Sequence, residues 1–408
     1  MGGAGATPDP LPGAVDNIVY NQAGTGDLEP SGSRPVEGMT MSQINPPFRA
    51  DHVGSLLRPA AVLDARRRHA AGEIDDAELR SVEDDAIAAM IPQLEATGIS
   101  SITDGEFRRE WFHLDFLQQL DGVTVSGMID ASSDSQETVH QAPPKITVTG
   151  KLRHVRPIQV DDFRFVAEHT TRTPKVSIPS PTMVHFRGGR GGIDIESYPD
   201  LDEFFDDLAR CYRDEIDQLY AAGCRYVQLD DTNLAYLCDP VMRQGAIDRG
   251  DDPDELPRTY AALINSALAG RPDDLTVGIH LCRGNFRSKH FASGGYEAVA
   301  EVLFNEIDVD AYFLEYDDER SGDFAPLRFF PTDKTLVLGL VTSKTAELED
   351  QNLLTTRIHE AGRYVDLDQV CLSPQCGFSS TVHGNEITEA DQWAKLRLVV
   401  DVAADVWG

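Results

Sequence analysis

A histidine and a cysteine two residues apart, in the stretch IHLCRGN, are the first candidates for chemistry in this 408-residue sequence. His280 and Cys282 belong to an apolar run typical of a buried strand, and alternate residues of a strand point to the same side. On their own they also fit a core histidine beside a core cysteine. Glu315, in FLEYD, equally fits an ion pair at a strand end, and Cys376, in SPQCGF, fits an inert buried thiol.

Together, these four residues offer one imidazole, two thiolates and one carboxylate, a set that suits tetrahedral zinc. Sulfur-rich ligation makes zinc a mild Lewis acid and favours capture of an incoming thiol as its thiolate. Hydrolysis by metal-activated water usually relies on histidine and carboxylate ligands instead. Because its carboxylate is the weakest soft-metal ligand of the set, Glu315 is expected to yield when a substrate sulfur arrives.

Eight short apolar segments separated by helical patterns would position these residues. We predict strands at 48–55, 99–106, 174–181, 225–231, 275–282, 310–316, 336–342 and 369–374. Strands alternating with helices indicate βαβ units and a parallel sheet, and eight such units make an α/β (β/α)8 TIM barrel. A doubly wound sheet is the rival fold, but it needs a Gly-rich phosphate turn after its first strand, and HVGSLLRP is not one.

Polar residues stand at or just beyond the end of every predicted strand. They are Ser55, Asp104, Glu106, Ser180, Asp230, Asp231, His280, Cys282, Glu315, Thr342 and Cys376. In a barrel the carboxyl ends of all strands share one face, and that face carries the active site. The spacing therefore predicts that the proposed zinc ligands converge at the barrel mouth.

Three other segments have a clear local pattern. Residues 1–45 are rich in Gly, Pro, Ala, Asp and Ser and predict a disordered tail before a single catalytic domain at 46–408. Residues 143–155 alternate apolar and polar side chains and predict a β-hairpin inserted between the second and third strands. A long amphipathic helix is predicted at 201–223, and Thr388 with Asp391 predicts the N-cap of the last helix.

Composition excludes several classes of partner. The formal net charge is −32, which repels nucleic-acid backbones. No apolar stretch reaches the length of a membrane span, and no secretory signal is evident. Six cysteines in a chain of this size fit reduced thiols and a cytoplasmic location. Composition does not indicate an oligomeric state.

From about residue 48 onward, the sequence resembles the C-terminal catalytic barrel of the cobalamin-independent methionine synthase family, and in particular its short, single-barrel members. The resemblance places the family's zinc ligands, in order, on His280, Cys282, Glu315 and Cys376. HVGS resembles the first-strand turn that holds the amino-acid substrate and points to Ser55. DGEF and QLDDT resemble the motifs that bind the substrate amine and point to Glu106 and Asp230 as substrate-binding and catalytic residues.

The sequence departs from the family pattern on the methyl-donor side. In the family, the pteridine stacks on a tryptophan after the third strand, and this chain has Pro181 at that position. A family histidine after the seventh strand protonates the departing folate, and this chain has Thr342 there. Trp111, His113 and His185 are candidates for a reshaped donor pocket, although packing roles would also explain them. These losses leave the identity of the donor open.

Two arginine-containing stretches lie near these motifs. Arg108 and Arg109, in EFRREW, could bind a substrate carboxylate or sulfonate, or form ion pairs at the surface. FRGGRGG, at 186–192, lacks the lysine and spacing of a phosphate loop and predicts a mobile loop. The alternative is a gate or an anion contact from Arg187 or Arg190.

The resemblance implies a zinc-dependent 5-methyltetrahydropteroyltriglutamate–homocysteine S-methyltransferase-like enzyme of methionine biosynthesis. Its partners would be a small thiol, homocysteine or a close analogue, and a methyl donor of the 5-methyltetrahydrofolate type or another kind. The alternative keeps Zn²⁺ and the thiol but alkylates an epoxide, with coenzyme M or a similar thiol. A third hypothesis is a non-catalytic barrel in which zinc is purely structural. Structural zinc sites usually use closely spaced pairs of ligands, and the scatter of these ligands over three strand ends disfavours that hypothesis.

Overall fold

We describe a computed structural model of the chain that covers residues 45–126, 145–285 and 287–408. The prediction of a disordered tail at 1–45 falls, except for Asn45, outside the described residues. Within the described ranges, no helix has the length and apolar character that crossing a bilayer requires.

Ten strands are present in the described residues. In chain order they are β1 (Ser101–Ile102), β2 (Asp121–Ser126), β3 (Lys145–Arg153), β4 (Thr173–Pro174), β5 (Val176–Pro179), β6 (Tyr226–Asp231), β7 (Thr276–Leu281), β8 (Ala311–Glu315), β9 (Thr335–Val341) and β10 (Val370–Pro374). Strands β5 to β10 form a six-stranded parallel sheet in sequence order, and β1 pairs with β4, also in parallel. The predicted parallel α/β sheet is therefore confirmed.

The segment predicted as the first strand, 48–55, does not form a regular strand. It is joined to its neighbours by isolated backbone hydrogen bonds, from Leu372 N to Arg49 O at 2.8 Å and from Leu56 N to Gly105 O at 3.0 Å. The buried Asp51 carboxylate accepts the backbone N–H groups of Phe48 and His52, so those donors are not available to a ladder. These bonds still connect β10 to the region of β1, which gives a TIM-barrel-like arrangement.

Eleven helices lie in the described residues, most of them between strands. They are α1 (Ala60–Ala70), α2 (Asp76–Ala96), α3 (Leu114–Leu117), α4 (Val160–His169), α5 (Leu201–Ala221), α6 (Asn233–Tyr236), α7 (Pro240–Asp248), α8 (Leu256–Leu268), α9 (Ala300–Glu306), α10 (Gln351–Ala361) and α11 (Glu389–Trp407). The predicted helix at 201–223 corresponds to α5. The predicted cap of α11 is confirmed, since Thr388 and Asp391 form a reciprocal capping box.

The segment predicted as a hairpin, 143–155, contributes a single long strand. β3 pairs antiparallel with β2, whose residues were not predicted as a strand. The residues that connect the two strands, 127–144, lie outside the described ranges. The structure thus shows a two-stranded ribbon between β1 and β4, and the inserted hairpin itself stays a prediction.

The sheet brings the polar strand ends to one edge. In the register of β6 and β7, Asp230 lies directly beside His280. Glu315 is the last residue of β8, and Cys376 comes two residues after the end of β10. Because these strands are parallel neighbours, residues separated by about 150 positions in sequence share the same rim.

Candidate active site

Three of the four predicted metal ligands lie together. The ligand atoms of His280, Cys282 and Cys376 are all within 4.8 Å of one another, and the two sulfur atoms are 3.3 Å apart. All three side chains are buried. We call these three residues the metal cluster.

The donor set of the metal cluster fits a borderline-soft divalent ion. Both ring nitrogens of His280 are buried without a hydrogen-bond partner in the described structure, which is costly unless something binds there. A hydrogen bond with Cys282 holds the pKa of Cys376 well below its usual value, whereas the pKa of Cys282 is raised. The pair thus already favours one thiolate, the form that binds metal, and two sulfurs with one nitrogen are a set that zinc accepts.

Glu315, the predicted fourth ligand, is not part of the metal cluster. Its Oε1 accepts from Arg320 at 2.8 Å and from Lys344 at 3.3 Å, and its Oε2 accepts from the backbone N–H of Arg283 at 2.9 Å. Burial opposes ionisation of this carboxyl, but neighbouring cations, with Lys344 the strongest, lower its pKa to about 2. The carboxylate is therefore ionised and occupied by cationic partners beside the cluster.

Glu106 and Asp230, which we call the acidic pair, have unusual environments. Burial raises the pKa of Glu106 to about 7 and that of Asp230 to about 6. One Glu106 oxygen accepts from Ser177 at 3.1 Å and lies 3.7 Å from Arg109, but the other has no partner in the described structure. Glu106 also has a φ of 59°, a strained value for a non-glycine residue that is most often found at functional sites.

Ser55 is held against the segment that carries Cys376. The backbone N–H of Phe378 donates to Ser55 O at 2.9 Å, and the N–H of Ser379 donates to Ser55 Oγ at 3.3 Å. A Cβ at Gly377 would lie 1.9 Å from Ser55 Oγ, an impossible contact. Glycine at position 377 is therefore what allows the two loops to approach so closely.

A cavity of about 680 Å³, measured to its open mouth, lies beside these groups. It is lined by Ser55, both members of the acidic pair and all three members of the metal cluster, but not by Glu315. Six of the seven predicted site residues therefore face one cavity.

Aromatic residues supply much of the remaining wall. Trp111, Phe112, Tyr236 and Phe291 line the cavity. An apolar wall beside a few buried charged groups is the usual composition of a small-molecule site.

The donor-side candidates divide in two. Trp111 and His113 line the cavity, whereas His185 is buried behind it, 3.0 Å from the Tyr260 hydroxyl. Pro181, which begins a 3-10 turn, and Thr342 are not among the lining residues.

Neither arginine of EFRREW lines the cavity. Arg108 forms ion pairs with Asp84 and Asp162, and Arg109 is held by Glu106 and by the carbonyl oxygen of Ser177. Their ion-pairing interpretation fits this geometry better than substrate contact.

Sequence reasoning missed Arg58, which is buried and binds four backbone carbonyls. It donates to the carbonyl oxygens of Glu106, Arg109, Ser379 and Thr381 at 2.7–3.1 Å. These contacts tie the loop of Glu106 to the loop that follows Cys376. Nothing in the local sequence LLRP distinguishes this arginine from a surface residue.

Comparison with known proteins identifies the relatives of this chain. Residues 48–405 match the family model described as the catalytic domain of cobalamin-independent synthase. A Bacillus subtilis protein, the uncharacterized YxjH, is 48% identical over 370 residues, which cover 90% of this chain and 97% of that protein.

Two solved structures are similar in fold. A candidate vitamin-B12-independent methionine synthase from Listeria monocytogenes is 41% identical, with a TM-score of 0.72 over 89% of this chain and 98% of that one. A B12-independent methionine synthase from Shewanella sp. W3-18-1, solved with selenomethionine, has a TM-score of 0.67 over 88% and 97% of the two chains; at 19% identity it shows the fold alone. The extent of the family match and of these similarities shows that the chain belongs to the cobalamin-independent methionine synthase family of methyl-transfer proteins.

Proposed function

We propose that this protein is a zinc-dependent methyltransferase that transfers a methyl group to the thiol of homocysteine and forms methionine. The observation that carries the proposal is that the metal cluster and the acidic pair face the same cavity. A soft-metal site is suited to a thiol, and a pair of carboxylates is suited to an ammonium group. Homocysteine carries both groups on one short chain.

His280, Cys282 and Cys376 would hold the zinc ion, with Glu315 as the proposed fourth ligand. When bound, zinc would lower the pKa of a ligating thiol so that the thiolate is present at neutral pH. For Glu315 to reach the metal, its carboxylate would have to leave Arg320 and Lys344, which hold it in the described structure. These ion pairs would offer the carboxylate an alternative position whenever a substrate sulfur replaced it as a ligand.

The acidic pair would bind the α-amino group. Their pKa values of about 7 and 6 show that burial makes both negative charges costly in the absence of a cation. An incoming ammonium group would compensate that charge and occupy the free oxygen of Glu106. Ser55, whose Oγ lies at the same wall, is the proposed further contact to the amino acid.

The proposed reaction is a direct transfer of the methyl group from the donor to the substrate sulfur. The substrate sulfur attacks the methyl carbon, a C–S bond forms, and the bond between that carbon and the donor nitrogen breaks. The electron pair remains on the nitrogen, which then takes up a proton. The chain contributes by holding sulfur and methyl carbon in line, since orientation supplies much of the rate in such reactions.

Zinc content of the purified protein tests the proposal. We expect about one equivalent in the wild type and a large loss in Cys282→Ser and Cys376→Ser. Cys371→Ser is the matched control, because Cys371 is also a buried thiol but lies in β10 and packs in the core. Zinc occupancy that stays unchanged in Cys282→Ser, or is well below one equivalent in the wild type, would contradict the proposal.

Substrate assays then distinguish methyl transfer from epoxide alkylation. The zinc-loaded protein is incubated with homocysteine or coenzyme M, each combined with methyltetrahydrofolate, methylcobalamin or an epoxide. We expect methionine from homocysteine with a methyl donor. Turnover of coenzyme M with an epoxide alone would favour the alternative.

A further inference from the structure

Arg187 is the single arginine, with no lysine, among the residues that line the cavity. It is half-buried and lies in the loop that follows the 3-10 turn Pro181–Val184. Within the described part of the chain it forms no ion pair with a carboxylate, whereas Arg108, Arg109 and Arg320 are all paired. Its positive charge therefore faces the cavity without a carboxylate that compensates it among the described residues.

Two neutral hydrogen-bonding groups stand close to Arg187. His113 is only 2% exposed and lines the cavity, and its Nδ1 has no partner in the described structure. Burial and the charge of Arg187 hold the pKa of His113 well below its usual value, so the ring is neutral. Tyr236 is also at the wall, and burial raises its pKa to about 12 against the opposing effect of Arg187, so it keeps its proton.

The loop holds Arg187 in place through its neighbour. Arg190 donates to the carbonyl oxygens of Ile193 and Tyr198, at 3.1 and 2.6 Å. The second arginine of FRGGRGG therefore has a structural role, and the loop is anchored rather than free. A loop that is already anchored needs less backbone ordering when a ligand binds to Arg187.

We propose that Arg187 and His113 form a subsite for an anionic group, a carboxylate, sulfonate or phosphate, of the second substrate, the methyl donor. This inference rests on the function proposed above. A guanidinium with a neighbouring imidazole N–H provides converging donors for such a group. The unpartnered Nδ1 of His113 is the buried polar atom that such an anion would satisfy.

The geometry assigns this subsite to the donor rather than to the acceptor amino acid. The carboxylate of an amino acid lies within a few ångströms of its amine, which we place at the acidic pair. Arg187 makes no ion pair with Glu106 or Asp230, although all three line the cavity, and the cation beside Glu106 is Arg109. Arg187 therefore lies beyond ion-pairing distance of the acidic pair and beside Tyr236 of the aromatic wall.

Anion titrations of the full-length, zinc-loaded protein test the subsite. Acetate, methanesulfonate and inorganic phosphate are added at constant ionic strength, and tryptophan fluorescence is followed, since Trp111 lines the same cavity. We expect saturable binding of at least one of the three anions. That binding should weaken by about tenfold or more in Arg187→Gln and recover in part in Arg187→Lys. Which anion binds tightest identifies the class of the donor's anionic group.

Three controls keep the result decisive. Trp111→Phe should abolish the signal, and Arg164→Gln, at an exposed arginine of α4, should leave binding unchanged. Zinc content and homocysteine affinity, measured on the same samples, test the proposed function separately and should not change in Arg187→Gln. The subsite is refuted if none of the anions binds saturably or if Arg187→Gln binds them as the wild type does. It is also refuted if that variant loses homocysteine affinity by a similar factor, which would assign Arg187 to the acceptor.

Discussion

Replacing Glu106 by glutamine should stabilise the metal-free protein at alkaline pH while removing its ability to bind an amine. Glu106 is buried, and its pKa is raised from an ordinary value of 4.5 to about 7. The causes are burial, which dominates, and the negative charge of Asp230, both opposed by Arg109. The folded state therefore binds the proton more tightly than the unfolded state does.

The sign of the pH dependence follows directly. Between pH 4.5 and 7 the unfolded chain has lost this proton while the folded chain still holds it, so the free energy of unfolding falls as the pH rises. Each unit of difference between the two pKa values corresponds to about 1.4 kcal/mol. The ionised Glu106 thus lowers the stability of the fold by about 3 kcal/mol at pH 8.5 relative to pH 4.5.

Urea unfolding of chelator-treated wild type and Glu106→Gln at both pH values measures this difference. The stability of the variant relative to wild type should improve by about 3 kcal/mol from pH 4.5 to pH 8.5. Comparing two pH values cancels any loss of packing that the substitution causes at both. Glu110→Gln, which alters an exposed glutamate of the same loop, is the matched control and should show no such change.

The same variant should bind homocysteine at least about tenfold more weakly, because a neutral amide cannot compensate an ammonium charge. A gain in stability with a loss of binding is the signature of a residue kept for function at the expense of the fold. If the relative stability of Glu106→Gln is the same at pH 4.5 and 8.5, or is lower at pH 8.5, the assignment of a strained, charged site at Glu106 is wrong.

Three further outcomes are expected. Gly377→Ala should lower the free energy of unfolding by about 1–3 kcal/mol and reduce zinc content, because the new Cβ would lie 1.9 Å from Ser55 Oγ and displace the loop of Cys376. Adding Ser55→Gly should restore the stability measured by urea unfolding. If stability does not recover, the clash is not the cause. Lys344→Met should destabilise the chelator-treated fold by about 1–3 kcal/mol at pH 7, because it removes the strongest of the cations that keep the pKa of Glu315 near 2. This loss of stability should shrink toward pH 3, where the Glu315 carboxyl approaches protonation. A loss that is equal at both pH values would indicate a packing effect instead. The KM for homocysteine should fall as pH rises from 5.5 to 7.5, because the acidic pair ionises over this range; a KM that rises instead would rule out carboxylate binding of the amine.

Much of the fold follows from local patterns in the sequence. Alternating apolar strands and amphipathic helices specify a parallel α/β sheet, and seven of the eight predicted strands correspond to strands of the structure. The exception, at 48–55, shows the limit of such reasoning. Its residues have the composition of a strand, but Asp51 also accepts from Lys175 and Tyr226, and only the assembled barrel brings those partners together.

The convergence of six of the seven predicted site residues on one cavity could also be predicted from the sequence. Each stands at or near the end of an apolar run, and the ends of parallel strands meet at one rim. Glu315 belongs to the same pattern, yet its contacts depend on Arg320, five residues further along the chain, and on Lys344, which comes from the loop after β9. No spacing rule predicts that this buried carboxylate will pair with a lysine 29 residues further along the chain.

The sequence by itself thus determined which residue types stand at the strand ends and the family to which the chain belongs. The thiol-binding metal chemistry that these residues predict is the function proposed above. Only the tertiary structure decided their electrostatic state: the raised pKa values of the acidic pair, the cations around Glu315, and an arginine at position 187 that faces the cavity without a carboxylate partner among the described residues. The reason is physical. Residue type and periodicity are local properties, whereas burial and charge–charge interaction depend on every group within a few ångströms, and these come from distant parts of the chain.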